Sequence, residues 1–207
     1  MRMLLLVAVG LAASLSRQNG AAPAAACTTA TERCTEWVAL GAGPARSLIY
    51  RTRSLDVRND AVRRALIMVH GTNRNADHYF STAVAATFLA GALDDAVVIS
   101  PRIASAAGNC HDMLAPNEVS WSCTGDSWRS GGTAASHPDL TSFDFVDQIL
   151  KKLASKNVFP NLRTIVVAGH SAGGQFVARY LPSRRWPRSA AGTTSAAPRV
   201  WPASRRR

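Results

Sequence analysis

TIVVAGHSAGGQF, at residues 164–176, is the stretch of sequence that decides the fold. Its β-branched start predicts a buried strand over 164–168, and the residues at its end favour a helix. Between them, the pattern Gly-x-Ser-x-Gly places Ser171 in a tight turn from strand to helix. Gly169 and Gly173 flank the serine because a side chain at either position is expected to collide with the neighbouring strand or helix. The sequence therefore predicts an exposed serine hydroxyl in a strained turn at the carboxyl edge of a sheet.

A second segment, RALIMVHGTN at residues 64–73, predicts another buried strand that ends just before His70 and Gly71. The two segments, in this order and about a hundred residues apart, resemble the α/β-hydrolase superfamily. In that superfamily the serine of such a turn is the nucleophile, and the loop after an early strand supplies a backbone amide to the oxyanion. The resemblance covers residues 45–180.

The resemblance implies an α/β fold, with a mostly parallel sheet and helices on both faces. It also implies hydrolysis of esters, with amides as the less favoured substrates, and a reaction that needs no cofactor. Ser171 is expected to form an acyl-enzyme, and the backbone amides of Ala172 and Thr72 are expected to hold the oxyanion. His70 and Gly71 are expected to order the oxyanion loop. The implied partner is a small-molecule ester or amide.

The sequence departs from the superfamily after the serine. There, the catalytic acid and histidine follow the nucleophile in sequence. Here no His, Asp or Glu follows Ser171, so two members of the triad have no matching position. The strand at 164–168, normally central, would become a sheet edge, since the later strands are also missing. We expect a truncated or frame-shifted chain whose hydrolase sequence ends near Tyr180 and whose activity is impaired. The alternative is a non-catalytic exported binding protein that keeps the pocket.

The start of the chain has the pattern of a secretory signal peptide. A short basic head precedes an apolar run that is too short to span a membrane comfortably, and small residues lead up to Ala26. A lipoprotein signal and a retained anchor are the rival interpretations. We predict three parts: a signal peptide at 1–26, a partial hydrolase domain at 27–180 and a disordered basic tail at 181–207. The protein is expected to be secreted or periplasmic, with no stable membrane span once the signal is cleaved.

Export permits disulfides, and the chain has four cysteines, which allow three pairings. Proximity in sequence favours Cys27 with Cys34 and Cys110 with Cys123. The second pair would staple a long polar loop. No metal site is expected, because the cysteine spacings fit no zinc pattern.

The net charge of +11 is concentrated at the two ends of the chain. Residues 27–178 carry 14 basic and 13 acidic side chains, a net charge of +1. This near-neutral body argues against a nucleic-acid-binding surface on the domain. Attachment of the arginine-rich tail to anionic polymers is a further alternative. The sequence gives no indication of the oligomeric state.

Periodicity predicts the remaining elements, with Ser142 as the cap of the second helix and Tyr79 among the apolar positions of the first. Strands are expected at 35–38, 47–52, 66–69 and 96–101, and helices at 77–89 and 142–156. The residues at 103–137 predict a long ordered loop, in which Trp121 and Trp128 either pack or line a pocket.

The other histidines are candidate bases for Ser171. His170 adjoins the serine, where neighbouring side chains point in different directions, so a pocket-lining role is favoured. His78 is expected at a helix surface. His111 and His137 lie in the long loop, from which either is able to approach the site.

Overall fold

The computed structural model of the chain describes residues 25–123 and 128–183. These residues form one five-stranded sheet with three α-helices. In chain order the elements are β1 (Thr35–Ala39), β2 (Arg46–Arg51), β3 (Arg64–Val69), α1 (Ala76–Leu89), β4 (Ala96–Pro101), α2 (Ser142–Ala154), β5 (Thr164–Gly169) and α3 (Ala172–Ser183). All the predicted strands and helices are present; β4 has the predicted bounds, and the others differ from prediction by one to a few residues.

The strand order is β1-β2-β4-β3-β5. β3 lies between β4 and β5 and pairs in parallel with both, whereas β2 is antiparallel to β1 and to β4. Four of the five described strands therefore run in the same direction and β2 alone is reversed, which agrees with the expected mostly parallel sheet. The reversal follows from the short connection at 40–45, since a parallel neighbour needs a much longer crossover.

Helices cover both faces of the sheet, as predicted. Ala65, Ile67 and Val69 of β3 lie in the main core with side chains of α2 and α3. Leu66 and Met68 point to the opposite face and pack in a smaller cluster with α1. This alternation is the period of two that a strand buried on both faces requires. β3 is consequently fixed from both sides, and it delivers the His70 loop to the carboxyl edge.

β5 forms one edge of the described sheet, because its one partner among the described strands is β3. α3 follows β5 after two residues and continues to Ser183, three residues into the segment predicted as a tail. The rest of that tail, and the predicted signal peptide up to residue 24, lie outside the described residues.

The N-cap of α2 is Thr141, and the assignment of Ser142 as the cap is wrong. The Thr141 hydroxyl accepts a hydrogen bond from the amide of Asp144 at 3.2 Å, and the Asp144 carboxylate accepts one from the amide of Thr141 at 2.8 Å. This is a reciprocal capping box. Ser142 is buried instead, and its hydroxyl donates to the carbonyl of Trp128 at 2.7 Å.

Both predicted disulfides are present. Cys27–Cys34 ties the entry segment to the start of β1, and Cys110–Cys123 closes part of the long loop. Trp121, two residues before the second bridge, is fully buried and stacks on Phe145 of α2. Disulfides of this kind are typical of proteins that fold in an oxidising compartment. Within 25–123 and 128–183, no helix is long and apolar enough to cross a bilayer.

Candidate active site

Ser171 lies in the two-residue turn between β5 and α3. Its backbone φ is +54°, in the left-handed region that residues with a side chain rarely occupy. The strain costs on the order of 1–3 kcal/mol and persists only where the surrounding structure enforces it. The side chain is exposed, beyond the carboxyl end of β5. The turn thus holds the Ser171 hydroxyl out towards solvent at the edge of the sheet.

Two glycines enforce this turn by letting backbone pack directly on backbone. A Cβ atom on Gly169 would collide with the carbonyl group of Gly173, at the start of α3. A Cβ atom on Gly173 would collide with the carbonyl oxygen of Val69 and would lie 2.6 Å from that of His70. Gly174 is different, because its nearest neighbour would be 3.4 Å away. The Gly-x-Ser-x-Gly spacing therefore fits α3 tightly against the ends of β5 and β3.

The loop after β3 lies directly beside the serine. A Cβ atom on Gly71 would be 3.7 Å from the Cβ atom of Ser171 and 3.7 Å from the carbonyl oxygen of His170. Thr72, the next residue, is exposed. On the other side of the serine, Ala172 begins α3, where the first amides of a helix have no acceptor within the helix. Two backbone segments with amides thus flank Ser171.

His70 is fully buried and both of its ring nitrogens are engaged. Nε2 accepts a hydrogen bond from the amide of Ile103 at 3.1 Å, so Nδ1 carries the proton and donates to the carbonyl of Gly71 at 2.8 Å. Burial lowers the pKa of His70 to about 4, and its bond to Gly71 only partly offsets that effect. The ring is therefore neutral at physiological pH. It fixes the loop and has no free nitrogen to take a proton from Ser171.

Arg74 anchors the far end of the same loop, a role that no sequence pattern indicates. Its guanidinium donates to the carbonyl of Ile103 at 2.8 Å and to that of Ser122 at 2.9 Å. It also lies 5.8 Å from the ring centre of Trp128. Burial lowers the pKa of Arg74 below its ordinary value, while the charge of Asp112 acts in the opposite direction. The bond to Ser122 joins the loop to the segment closed by the Cys110–Cys123 disulfide.

A tyrosine–histidine pair lies next to Gly71. The hydroxyl of Tyr79, on α1, is hydrogen-bonded to Nδ1 of His170 at 3.0 Å. It would be 2.8 Å from a Cβ atom on Gly71. Helical periodicity alone indicates Tyr79 only as one of the apolar positions of its helix. One signal was available: side chains near the start of a helix lean back towards the preceding loop, which here is the His70–Gly71 loop.

The other histidines lie in different surroundings. His78 is exposed beside Asp77, and His111 is exposed in the long loop. His137 is hydrogen-bonded through Nδ1 to the hydroxyl of Ser136 at 2.8 Å. Among the residues that the structure describes, no histidine or carboxylate is hydrogen-bonded to the Ser171 hydroxyl, and no group of His, Cys, Asp and Glu is arranged for a metal.

The two tryptophans of the long loop contribute to packing. Trp128 is buried with its ring centre 5.3 Å from that of His70 and 6.3 Å from that of Phe176 on α3. Trp128 therefore packs against both His70 and Phe176, and so joins the loop after β3 to the helix that follows Ser171.

Comparisons with known proteins identify no family for this chain. No protein-family model matches the sequence. No curated protein matches it either. Among solved structures, poly(aspartic acid) hydrolase-1 from Sphingomonas sp. KT-1 is similar, with 22% sequence identity and a TM-score of 0.47. The similarity covers 70% of this chain and 50% of that one, so this chain spans about half the length of that protein.

Proposed function

We propose that this chain is an exported α/β-hydrolase-like protein in which Ser171 acts as a nucleophile on ester carbonyls, and less readily on amides. The observation that carries the proposal is the left-handed backbone of Ser171, in a turn that two glycines pack against β3. Backbone strain of this kind is concentrated at functional sites, where the surrounding structure enforces it. The strand, turn and helix around it are the setting expected of a nucleophile elbow.

The oxyanion would be held by the amides of Thr72 and Ala172. Gly71 lies against Ser171, which brings the loop carrying Thr72 to one side of the hydroxyl. Ala172 supplies the first amide of α3, where the helix dipole also favours negative charge. Hydrogen bonds from His70 and Arg74 hold the loop in place. Donors that are fixed in advance stabilise a developing charge most effectively.

The reaction would follow the usual course of acyl transfer. The Ser171 oxygen bonds to the carbonyl carbon, its proton passes to a base, and the alcohol departs with a proton to leave an acyl-serine. Water then releases the acid. No His, Asp or Glu follows Ser171 among the 207 residues, and no described histidine is hydrogen-bonded to its hydroxyl. We expect slow turnover, since oxyanion donors and binding alone retain about 10³–10⁴-fold acceleration over water.

Covalent labelling with a fluorophosphonate probe tests the proposal. The 207-residue chain is treated with the probe, and the labelled residue is located by mass spectrometry of its peptides. Ser171→Ala is the test variant. Ser81→Ala is the matched control, because Ser81 is an exposed serine on α1. The expected result is selective labelling of Ser171 that is lost in Ser171→Ala and kept in Ser81→Ala.

Two results would count against the proposal. Labelling of Ser171 no faster than labelling of Ser81 would show that the turn does not activate the hydroxyl. The same rate in chain unfolded by urea would show that the fold contributes nothing. Either result, together with saturable binding of an ester, would favour the alternative of a non-catalytic binding protein that uses the same surface.

A further inference from the structure

We propose that Tyr79 and His170 are a positioning pair, whose hydrogen bond sets the distance between the two segments that would hold the oxyanion. The inference rests on the proposed function of Ser171 and identifies residues that regulate the geometry of that site. Neither side chain is assigned to touch the reacting atoms.

The pair joins the helix that follows the loop after β3 to the turn between β5 and α3. Tyr79 belongs to α1, the helix that follows the loop carrying Thr72. His170 belongs to the turn carrying Ser171. The two residues are 91 positions apart in sequence, and the bond between their side chains is 3.0 Å long. Their ring centres are 6.3 Å apart and the ring planes are inclined by 32°.

The bond crosses the site at Gly71. A Cβ atom there would lie 2.8 Å from the Tyr79 hydroxyl, so the missing side chain is what lets the phenol reach His170. The same Cβ position is 3.7 Å from Ser171. The hydroxyl of Tyr79 thus fixes the relation of the loop to the turn within one residue of the nucleophile. Small displacements matter here, because a shift of about 1 Å in reacting groups can lower a rate by about 100-fold.

Burial distinguishes this pair from the contacts that maintain the fold. His170 is exposed and Tyr79 is half-buried, whereas His70 and Trp128 beneath them are buried. Removal of a hydrogen bond at an exposed position leaves its partner free to bond with water, so the effect on stability is small. Loss of the hydrogen bond between Tyr79 and His170 should therefore change the geometry of the site and leave the rest of the fold intact.

Labelling kinetics provide the test, with the maximum rate and the half-saturating probe concentration measured separately. Tyr79→Phe and His170→Ala each remove the bond and are expected to lower the maximum rate about 10-fold. The half-saturating concentration and the urea unfolding midpoint should stay unchanged. His170→Asn should restore most of the rate, since its Oδ1 occupies the position of Nδ1 relative to the backbone. The double variant should be no slower than either single variant, as expected for one shared interaction.

Tyr50→Phe is the matched control, because Tyr50 lies on β2 and packs against Phe80, the neighbour of Tyr79 on α1. It should label at the unaltered rate. An unchanged rate in Tyr79→Phe, additive losses in the double variant, or a His170→Asn chain as slow as His170→Ala would overturn the inference while leaving the proposed function intact. Absence of labelling in the unaltered chain overturns both, and it is seen before any variant is compared.

Discussion

The two segments that face each other across Ser171 are held in place by opposite means. The turn at 169–173 is held by close packing of backbone on backbone, which the absence of side chains at Gly169 and Gly173 allows. The loop at 70–75 is held by side-chain hydrogen bonds: His70 accepts one from the amide of Ile103, and Arg74 donates one to the carbonyl of the same residue. Any side chain at Gly169 or Gly173 would collide with backbone, whereas substitutions in the loop can remove its hydrogen bonds one at a time. The turn should therefore tolerate almost no change, and the loop should respond in steps.

The largest effect is expected from Gly173→Ala. The new methyl group would collide with the carbonyls of Val69 and His70, and backbone at the end of a central strand cannot move aside cheaply. We expect a loss of at least about 4 kcal/mol in unfolding free energy, or failure to fold. Urea denaturation measures the loss.

Gly174→Ala is the matched control for that substitution. Its methyl group would be 3.4 Å from the nearest atom, and alanine is favoured over glycine in a helix by about 1 kcal/mol. The variant should be as stable as the unaltered chain or more stable by up to about 1 kcal/mol. Equal losses in the two variants would show that the turn is not held by close packing of Gly173 on β3.

A smaller loss is expected from Arg74→Met, which keeps the length of the side chain and removes both hydrogen bonds. Bonds from a charged donor to the carbonyls of Ile103 and Ser122 predict a destabilisation of about 2–3 kcal/mol. Arg64→Met is the control, because Arg64 makes an exposed ion pair with Asp95, worth about 0–1 kcal/mol. An Arg74→Met chain as stable as Arg64→Met would mean that the loop has another anchor.

His70 should make stability depend on pH. Its pKa is about 4 in the folded chain and about 6.5 when unfolded. Below pH 6.5 His70 is protonated in the unfolded chain but stays neutral in the folded chain down to about pH 4. The contribution of neutral His70 to stability is therefore fully present above pH 6.5 and is lost as the pH falls towards 4. The loss between pH 7 and pH 5 should be about 2 kcal/mol. Unfolding by urea across this range measures it.

His70→Asn should be less stable than the unaltered chain at pH 7 and should lack this part of the pH dependence. His78→Asn, which alters an exposed histidine on α1, should retain it. If the unaltered chain and His70→Asn lose stability in parallel between pH 7 and pH 5, the ring is not buried in its neutral form.

The smallest effect on stability is expected from Gly71→Ala, in the loop. Its methyl group would approach the hydroxyl of Tyr79, the far end of a half-buried side chain that is able to swing away. We expect a loss of less than about 1 kcal/mol in unfolding free energy, against at least about 4 kcal/mol for Gly173→Ala. Phosphonate labelling should still slow, because Tyr79 is displaced from His170. A loss of stability as large as that of Gly173→Ala would remove the contrast between the two segments.

Sequence alone predicted what depends on local pattern. Alternation and helical spacing located β1 to β5 and the helices, and the Gly-x-Ser-x-Gly spacing indicated why Gly169 and Gly173 are small. Proximity in sequence was enough to pair the cysteines, because each bridge closes a short loop. Ser142 was mistaken for a cap since Thr141 has an equally suitable hydroxyl, and only the tertiary contact with Trp128 distinguishes them.

The contacts that shape the candidate site were not predictable in the same way. Arg74 bonds to Ser122 across 48 residues, and Tyr79 bonds to His170 across 91. Neither pair has a spacing or composition that sets it apart. The reversal of β2 was also missed, because strand direction depends on which neighbour a strand pairs with, and periodicity carries no information about that choice.

The most direct test is a crystal structure of the chain after reaction with a phosphonate probe. The account predicts a phosphonyl group on Ser171 with one oxygen about 2.7–3.1 Å from the amide nitrogens of Thr72 and Ala172, and a positive φ at the serine. An adduct whose oxygens all face solvent away from both amides, or a Ser171 with negative φ inside a continuous helix, would contradict it.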